Sequence, residues 1–441
     1  MVGKTFRSVV AGGMIAVLMV VGLAVAAEAQ QQRRLQFIRD AEIEHTIRTY
    51  AQPLFEAAAV DGSSVEIALV KDNALNAFVA GGMNLFIHTG LLMESESAGQ
   101  LMGVLAHEIG HIAGGHLVRG RDAMEGASAQ AILSTLLGIG AAVATGRPDA
   151  AAAIVSGGQE MARRSFFAFS RTQESSADQA ALSYLDQAGV SARDLLSFLE
   201  KLSDQELLPP DRQVEFVRTH PLTRNRIDAV RAHVARSPVS DAPLPAAFVE
   251  SHDRMKAKLL GFINPVQALQ RFKEDDPGIA ARYGRAIALY QRGDLDRALP
   301  LIDALIDAEP DNAFFHELKG QVLLENGRLA DSIAPYRKAV DLLPGSALLR
   351  SALAQALIES NDDRLLDEAL DHLEEAVRTE RRSPFPWRLM ATVYGRKGDQ
   401  GMLSYAQAEY TLAQGDQPAA RFHAERAEQL LPAGSPGWLR A

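Results

Sequence analysis

Apolar positions follow three rhythms along this chain. Val9 to Ala26 is an almost unbroken apolar stretch behind Lys4 and Arg7, and Ala27-Glu28-Ala29 precedes Gln30. A basic start, an apolar stretch and a small-x-small site predict an export signal over 1–29; an uncut membrane anchor is the competing reading, because the stretch nearly spans a bilayer. Ile38, Ile43, Ile47, Tyr50 and Leu54 then recur at near-helical spacing, which predicts an amphipathic helix. Val65 to Val70, Asn76 to Val79 and Leu85 to His88 read as strands, with a tight break at Gly81-Gly82. Ser97 with Gln100 matches a capping box opening a helix through His111. Further helices are predicted from about Gln173 to Ala188, stopped by Gly189, and from Ser191 with Asp194 to about Leu202.

Between these helices the Ala/Gly-rich residues 127–158 are broken by Arg147-Pro148-Asp149. They are expected to form a mobile helical lid over a site, with peripheral membrane contact as the competing reading. The last third changes rhythm. Gly293-Asp294 and Gly327-Arg328 stand 34 residues apart, as do Pro310 and Pro344, and a 34-residue helix–turn–helix period is the tetratricopeptide signature. The period loosens to 40 residues between Pro344 and Pro384, with Asn361-Asp362-Asp363 as the insertion. Gly398-Asp399 and Gly415-Asp416 mark later, irregular hairpins, and the last ends near Pro432. About four helical pairs are enough for a solenoid. The predicted organisation is a signal over 1–29, a first domain over 30–236, a helical linker over 237–275 and repeats over 276–435. The fold class is mainly α: an α+β domain with a small sheet, then an α-helical solenoid.

Composition narrows the chemistry. The 441 residues include no Cys and 11 His, and the formal net charge is −10. Without cysteine there is no disulfide, zinc ribbon, iron–sulfur centre or thiol nucleophile, so any metal is held by His, Asp or Glu. The acidic balance argues against nucleic acid as a partner, since that needs a basic surface.

The histidines are not scattered. His107-Glu108-Ile109-Gly110-His111 is HExxH, placed within a helix by Val104, Leu105 and Ile112. Two His four residues apart reach one ion from one helical face, and Glu108 is placed to take a proton from water beside that ion. A hydrolytic zinc needs a third protein ligand and an open position. Glu174 and Asp178, one turn apart on the next helix, are the best candidates: one carboxylate can ligate while the other fixes a ligand histidine's tautomer. A solvated acidic helix start is their structural alternative.

His107–His111 followed by Glu174-Ser175-Ser176-Ala177-Asp178 resembles the HExxH…ExxxD pattern of zinc peptidases related to the CAAX prenyl protease and HtpX. Asn76-Ala77-Phe78 with Gly81-Gly82 through Thr89-Gly90-Leu91-Leu92 is similar to the strand and turn preceding the zinc helix there. Thr219-His220-Pro221 with Arg224 and Arg226-Ile227 is similar to its downstream His-Pro…Arg-Ile segment. The resemblance implies one zinc per chain on His107, His111 and Glu174, with Glu108 as general base and Asp178 behind a ligand. It implies for His220 either stabilisation of the oxyanion or a fourth, gating position on zinc; the alternative is a His-Pro turn cap, with Arg224 or Arg226 pairing to nearby acids.

It further implies a periplasmic zinc metalloendopeptidase acting on misfolded outer-membrane proteins, with the repeats docking on the outer-membrane assembly machinery. A tetratricopeptide scaffold or chaperone with a gated, mostly silent site is the competing function. His88 and His116 are given no special role. Leu85 to His88 is expected to be an edge strand beside the zinc that adds an extended substrate as one more strand.

Overall fold

The computed structural model describes residues 36–116, 119, 170–209 and 212–441. The expected signal at 1–29 and lid at 127–158 lie outside the described residues. A short strand β1 (Phe37–Ile38) leads into helix α1 (Ala41–Ala57), then β2 (Glu66–Val70), β3 (Ala77–Ala80) and β4 (Asn84–His88). Ile38, expected to open the first helix, belongs instead to β1, because the Asp40 carboxylate accepts from the Ile43 amide and caps α1 two residues later.

The sheet order is β1-β2-β4-β3. β2 runs parallel to β4, and the other two pairs are antiparallel. Gly81 and Gly82, at φ +60° and +104°, make the turn from β3 to β4 that a side chain would strain. The edge-strand expectation is overturned: Leu85 to His88 is β4, hydrogen-bonded on both sides, and among the described residues β3 holds the edge. Ile67, Leu69, Leu85, Ile87, Ala77 and Val79 face the domain core.

On that core lies α3 (Ala98–Ala113), after the short α2 (Thr89–Glu94). Ser97 Oγ accepts from the Gln100 amide at 3.1 Å and opens α3 as expected. Every residue from Ala98 to Gly110 is buried, so this is a central helix with HExxH in its last two turns. Helix α4, over residues 170–187, crosses it at close range: a Cβ on Gly110 would sit 2.8 Å from the Ala177 carbonyl oxygen. The missing side chain lets the two backbones meet there, which brings Glu174 and Asp178 over His107 and His111. The domain is completed by α5 (Arg193–Leu202), α6 (Glu215–Thr219) and α7 (Arg224–Val234).

Helix α8 (Ala246–Ile263) joins two cores. Met255 and Leu259 belong to the first domain's cluster, while the helix also packs on Ile279–Gln291, the first repeat helix. Paired helices then stack from Ile279–Gln291 to Gln417–Leu430. Gly293, Gly327, Gly398 and Gly415 end helices of this stack at φ between +75° and +81°. The expected insertion sits where Asn361 adopts φ +57° before a short 3-10 turn at Asp363–Leu365. No helix among the described residues is long and apolar enough to cross a membrane.

Candidate metal centre

His107, His111, Glu174 and His220 each offer one ligand atom to a single point, and those atoms all lie within 4.8 Å of one another. His107 Nε2 is 3.1 Å from His111 Nε2, 3.3 Å from His220 Nδ1 and 3.3 Å from Glu174 Oε2. Glu174 Oε1 is 3.4 Å from His111 Nε2, and Oε2 is 3.3 Å from His220 Nδ1. The outer side of the His107 and His220 rings settles their tautomers. Asp178 Oδ1, 3.0 Å from His107 Nδ1, can only accept, so Nδ1 carries the proton and Nε2 a lone pair. The Ala77 carbonyl, 3.3 Å from His220 Nε2, likewise leaves the lone pair on Nδ1. His111 Nδ1 stands 2.9 Å from His116 Nδ1, and donating to it leaves the His111 Nε2 lone pair facing inward.

Three lone pairs and a carboxylate therefore converge in a buried space, an arrangement that repels itself unless a cation stands among them. The residues fit a metal. The protonation energetics carry the same signature. Burial opposes a charge on His107, yet Asp178 and Glu174 outweigh it and lift its pKa to about 10. Burial, and then the neighbouring His107, draw His111 down to about 4. Glu174 and Asp178 both stay well below the usual carboxylate range despite burial; His220 and the ligand histidines hold the first, and Arg226 with His107 the second.

Arg226 is the counter-charge behind the site. Its Nε donates to Asp178 Oδ2 at 2.6 Å and its Nη2 to Asp178 Oδ1 at 2.9 Å, with Nη1 3.0 Å from Glu174 Oε2. Nη1 also donates to the Pro221 carbonyl at 2.8 Å, so the same guanidinium anchors the loop carrying His220. Thr219 Oγ1 donates to Asn76 Oδ1 at 3.2 Å and ties that loop to the start of β3.

Glu108 is fully buried; neither carboxylate oxygen accepts a hydrogen bond among the described residues, and Oε1 lies 3.3 Å from His220 Nε2. Burial raises its pKa, with His220 and His107 opposing. An ionisable group placed so expensively, beside four converging ligand atoms, has the environment of a proton carrier.

The structure thus brings all six sequence-predicted residues into one site. Two contributors were missed or left open. His116, given no special role by the sequence, reaches the site because α3 ends at Ala113 and the chain turns back through Gly115 at φ +62°, bringing the ring onto His111. Arg226 had been an alternative to Arg224, and only Arg226 is buried.

A helix bearing HExxH, a second helix supplying ExxxD and a small sheet alongside define a metallopeptidase, here joined to a tetratricopeptide solenoid. Residues 38–234 match the model of peptidase family M48, and residues 283–347 that of the tetratricopeptide repeat. The chain carries an M48 peptidase domain followed by tetratricopeptide repeats, and is a metalloendopeptidase. Among its relatives is the beta-barrel assembly-enhancing protease of Yersinia pestis, 26% identical over 393 residues, which cover 86% of this chain and 78% of that one. The protein of that name in Escherichia coli strain K12 is 27% identical over 355 residues, 78% of this chain and 70% of the relative. The metalloprotease LoiP of the same strain matches 39% of this chain and 64% of its own length at 26% identity.

Proposed function

We propose that the chain is a zinc metalloendopeptidase of the periplasm that degrades misfolded or stalled outer-membrane proteins, with its repeats docking on the machinery that assembles them. The observation that carries the metal assignment is the spacing of the ligand atoms. Zinc bonds of 2.0–2.1 Å imply tetrahedral edges of about 3.3 Å, and four edges joining His107 Nε2, His111 Nε2, His220 Nδ1 and Glu174 Oε2 measure 3.1–3.3 Å. The relatives named for beta-barrel assembly support the cellular role. The predicted export signal supports the compartment.

Zinc in this site supplies Lewis acidity to the scissile carbonyl and to the water that attacks it. The chain's residues do the rest. His107, His111 and Glu174 fix the position, with Asp178, His116 and Arg226 orienting them. Glu108 takes the proton from water and returns it to the leaving amine, a transfer favoured by its raised pKa. The substrate lies along β3 rather than β4. His88 N donates to Asn76 O, so residues 76, 78 and 80 bond inward to β4 while Ala77 and Val79 present their backbone groups outward. The outward Ala77 carbonyl already meets His220, which places this edge against the site.

His220 Nδ1, 3.3 Å from both His107 Nε2 and Glu174 Oε2, fills the fourth corner that water needs. This favours the gating role over oxyanion stabilisation and describes a closed enzyme. His220→Ala is expected to keep its zinc and to raise casein cleavage by about tenfold or more, as the competent state ceases to be a minor one. Loss of cleavage with zinc retained would instead assign His220 to the oxyanion.

A further inference from the structure

We propose that Phe78 selects the substrate: an extended polypeptide lying along β3 past the metal is held with an aromatic or large apolar side chain against the Phe78 ring. The inference rests on the peptidase reading and adds a side-chain preference to it.

The side of the sheet facing away from the core carries a row of rings. Phe37 of β1 lies 6.1 Å from Phe86 of β4, and Phe86 stacks on Phe78 of β3 at 5.0 Å with planes 16° apart. His88, buried, meets Phe78 edge-on at 5.9 Å and closes the row on the side toward the end of β4. Phe78 is only half-buried, and it belongs to the edge strand. Among the described residues the row stops at the open edge of β3.

Register then decides which substrate residue continues it. Because Phe78 bonds inward to Phe86, its position toward an added antiparallel strand is the non-hydrogen-bonded one, where facing side chains approach most closely. A substrate strand bonded to the outward groups of Val79 therefore sets one side chain directly beside the Phe78 ring, on the same face. Ala77, one residue away and about 3.3 Å along the strand, touches His220 through its carbonyl. The selected residue thus sits within about two residues of the scissile bond. Alternation in the substrate sends its neighbours to the opposite face, toward the metal. A chain with apolar residues at every second position suits this arrangement, and that is the pattern of membrane β-barrel strands.

The test uses the zinc-loaded full chain and extended peptides in which a single Phe is moved through the positions flanking the cleaved bond. In the parent, one position is expected to favour Phe over Ala by about tenfold in kcat/KM. Phe78→Ala should bring that ratio close to one, and Phe78→Leu, which preserves most of the apolar volume, should shift the preference toward aliphatic side chains. An unchanged Phe preference in both variants, or no preferred position in the parent, overturns the assignment while leaving the peptidase intact. Absence of any zinc-dependent cleavage by the parent overturns the peptidase reading and this one with it.

Discussion

Glu108→Gln is expected to bind zinc as the parent does and to lose cleavage by about 100- to 10,000-fold, the range over which a positioned general base contributes. The substitution is nearly isosteric and touches none of the four ligand atoms. It changes only the capacity to take and return a proton. Glu108 is fully buried and accepts no hydrogen bond, with His220 Nε2 3.3 Å from Oε1, so the neutral amide removes a costly charge at the loss of one ion-pair contact. The unfolding midpoint should therefore stay level or rise while activity falls. Parallel zinc analysis, thermal unfolding and casein cleavage would check it; activity within tenfold of the parent would remove Glu108 from the chemistry.

Lys258→Met should destabilise the chain by about 3–5 kcal/mol, the cost of leaving buried charges without their partner. Lys258 is buried on α8 between the two cores. Its ammonium is 2.9 Å from Asp40 and 3.6 Å from both Glu42 and Glu317, joining the start of α1 to the repeat helix Ala313–Glu325. Burial works against its charge, and Asp40 foremost among these carboxylates holds its pKa well above the ordinary value. Glu42 keeps two other partners, Arg254 at 3.1 Å and the Tyr283 hydroxyl at 2.7 Å. Glu317 is the weak point of the network: burial pushes its pKa up to about 7 even beside Lys258.

A carboxyl whose folded pKa is raised is stabilising below its unfolded value and progressively less so as pH rises through the folded one. The deficit of Lys258→Met should accordingly grow from pH 5 to pH 8, and Glu317→Gln should recover part of it. Urea midpoints of the single and double variants at both pH values measure this. A deficit independent of pH would show that lost packing, not charge, is responsible.

Much of this was legible because local chemistry encodes it. Ser97 before Gln100 fixes where the metal helix starts, so the HExxH residues fall on a known face. Glycines at φ near +75° punctuate the repeats at a readable period. What escaped was set by long-range pairing. Nothing in Val65 to Val70 says that it inserts between β1 and β4, yet that insertion buries β4 and gives the edge to β3. His116 is five residues past His111, which on a continuing helix points elsewhere; the turn after Ala113 reverses that geometry. Arg224 and Arg226 are both arginines at a helix start, and only the packing of α7 against α4 decides which one meets Asp178.

The most direct test of the central claim is the zinc content of the purified full chain beside that of Glu174→Ala. About one zinc per chain in the parent, falling to a small fraction in the variant, is the expected result. A parent that binds no zinc, or a variant that keeps its full complement, would contradict the assignment of His107, His111 and Glu174 as the metal centre.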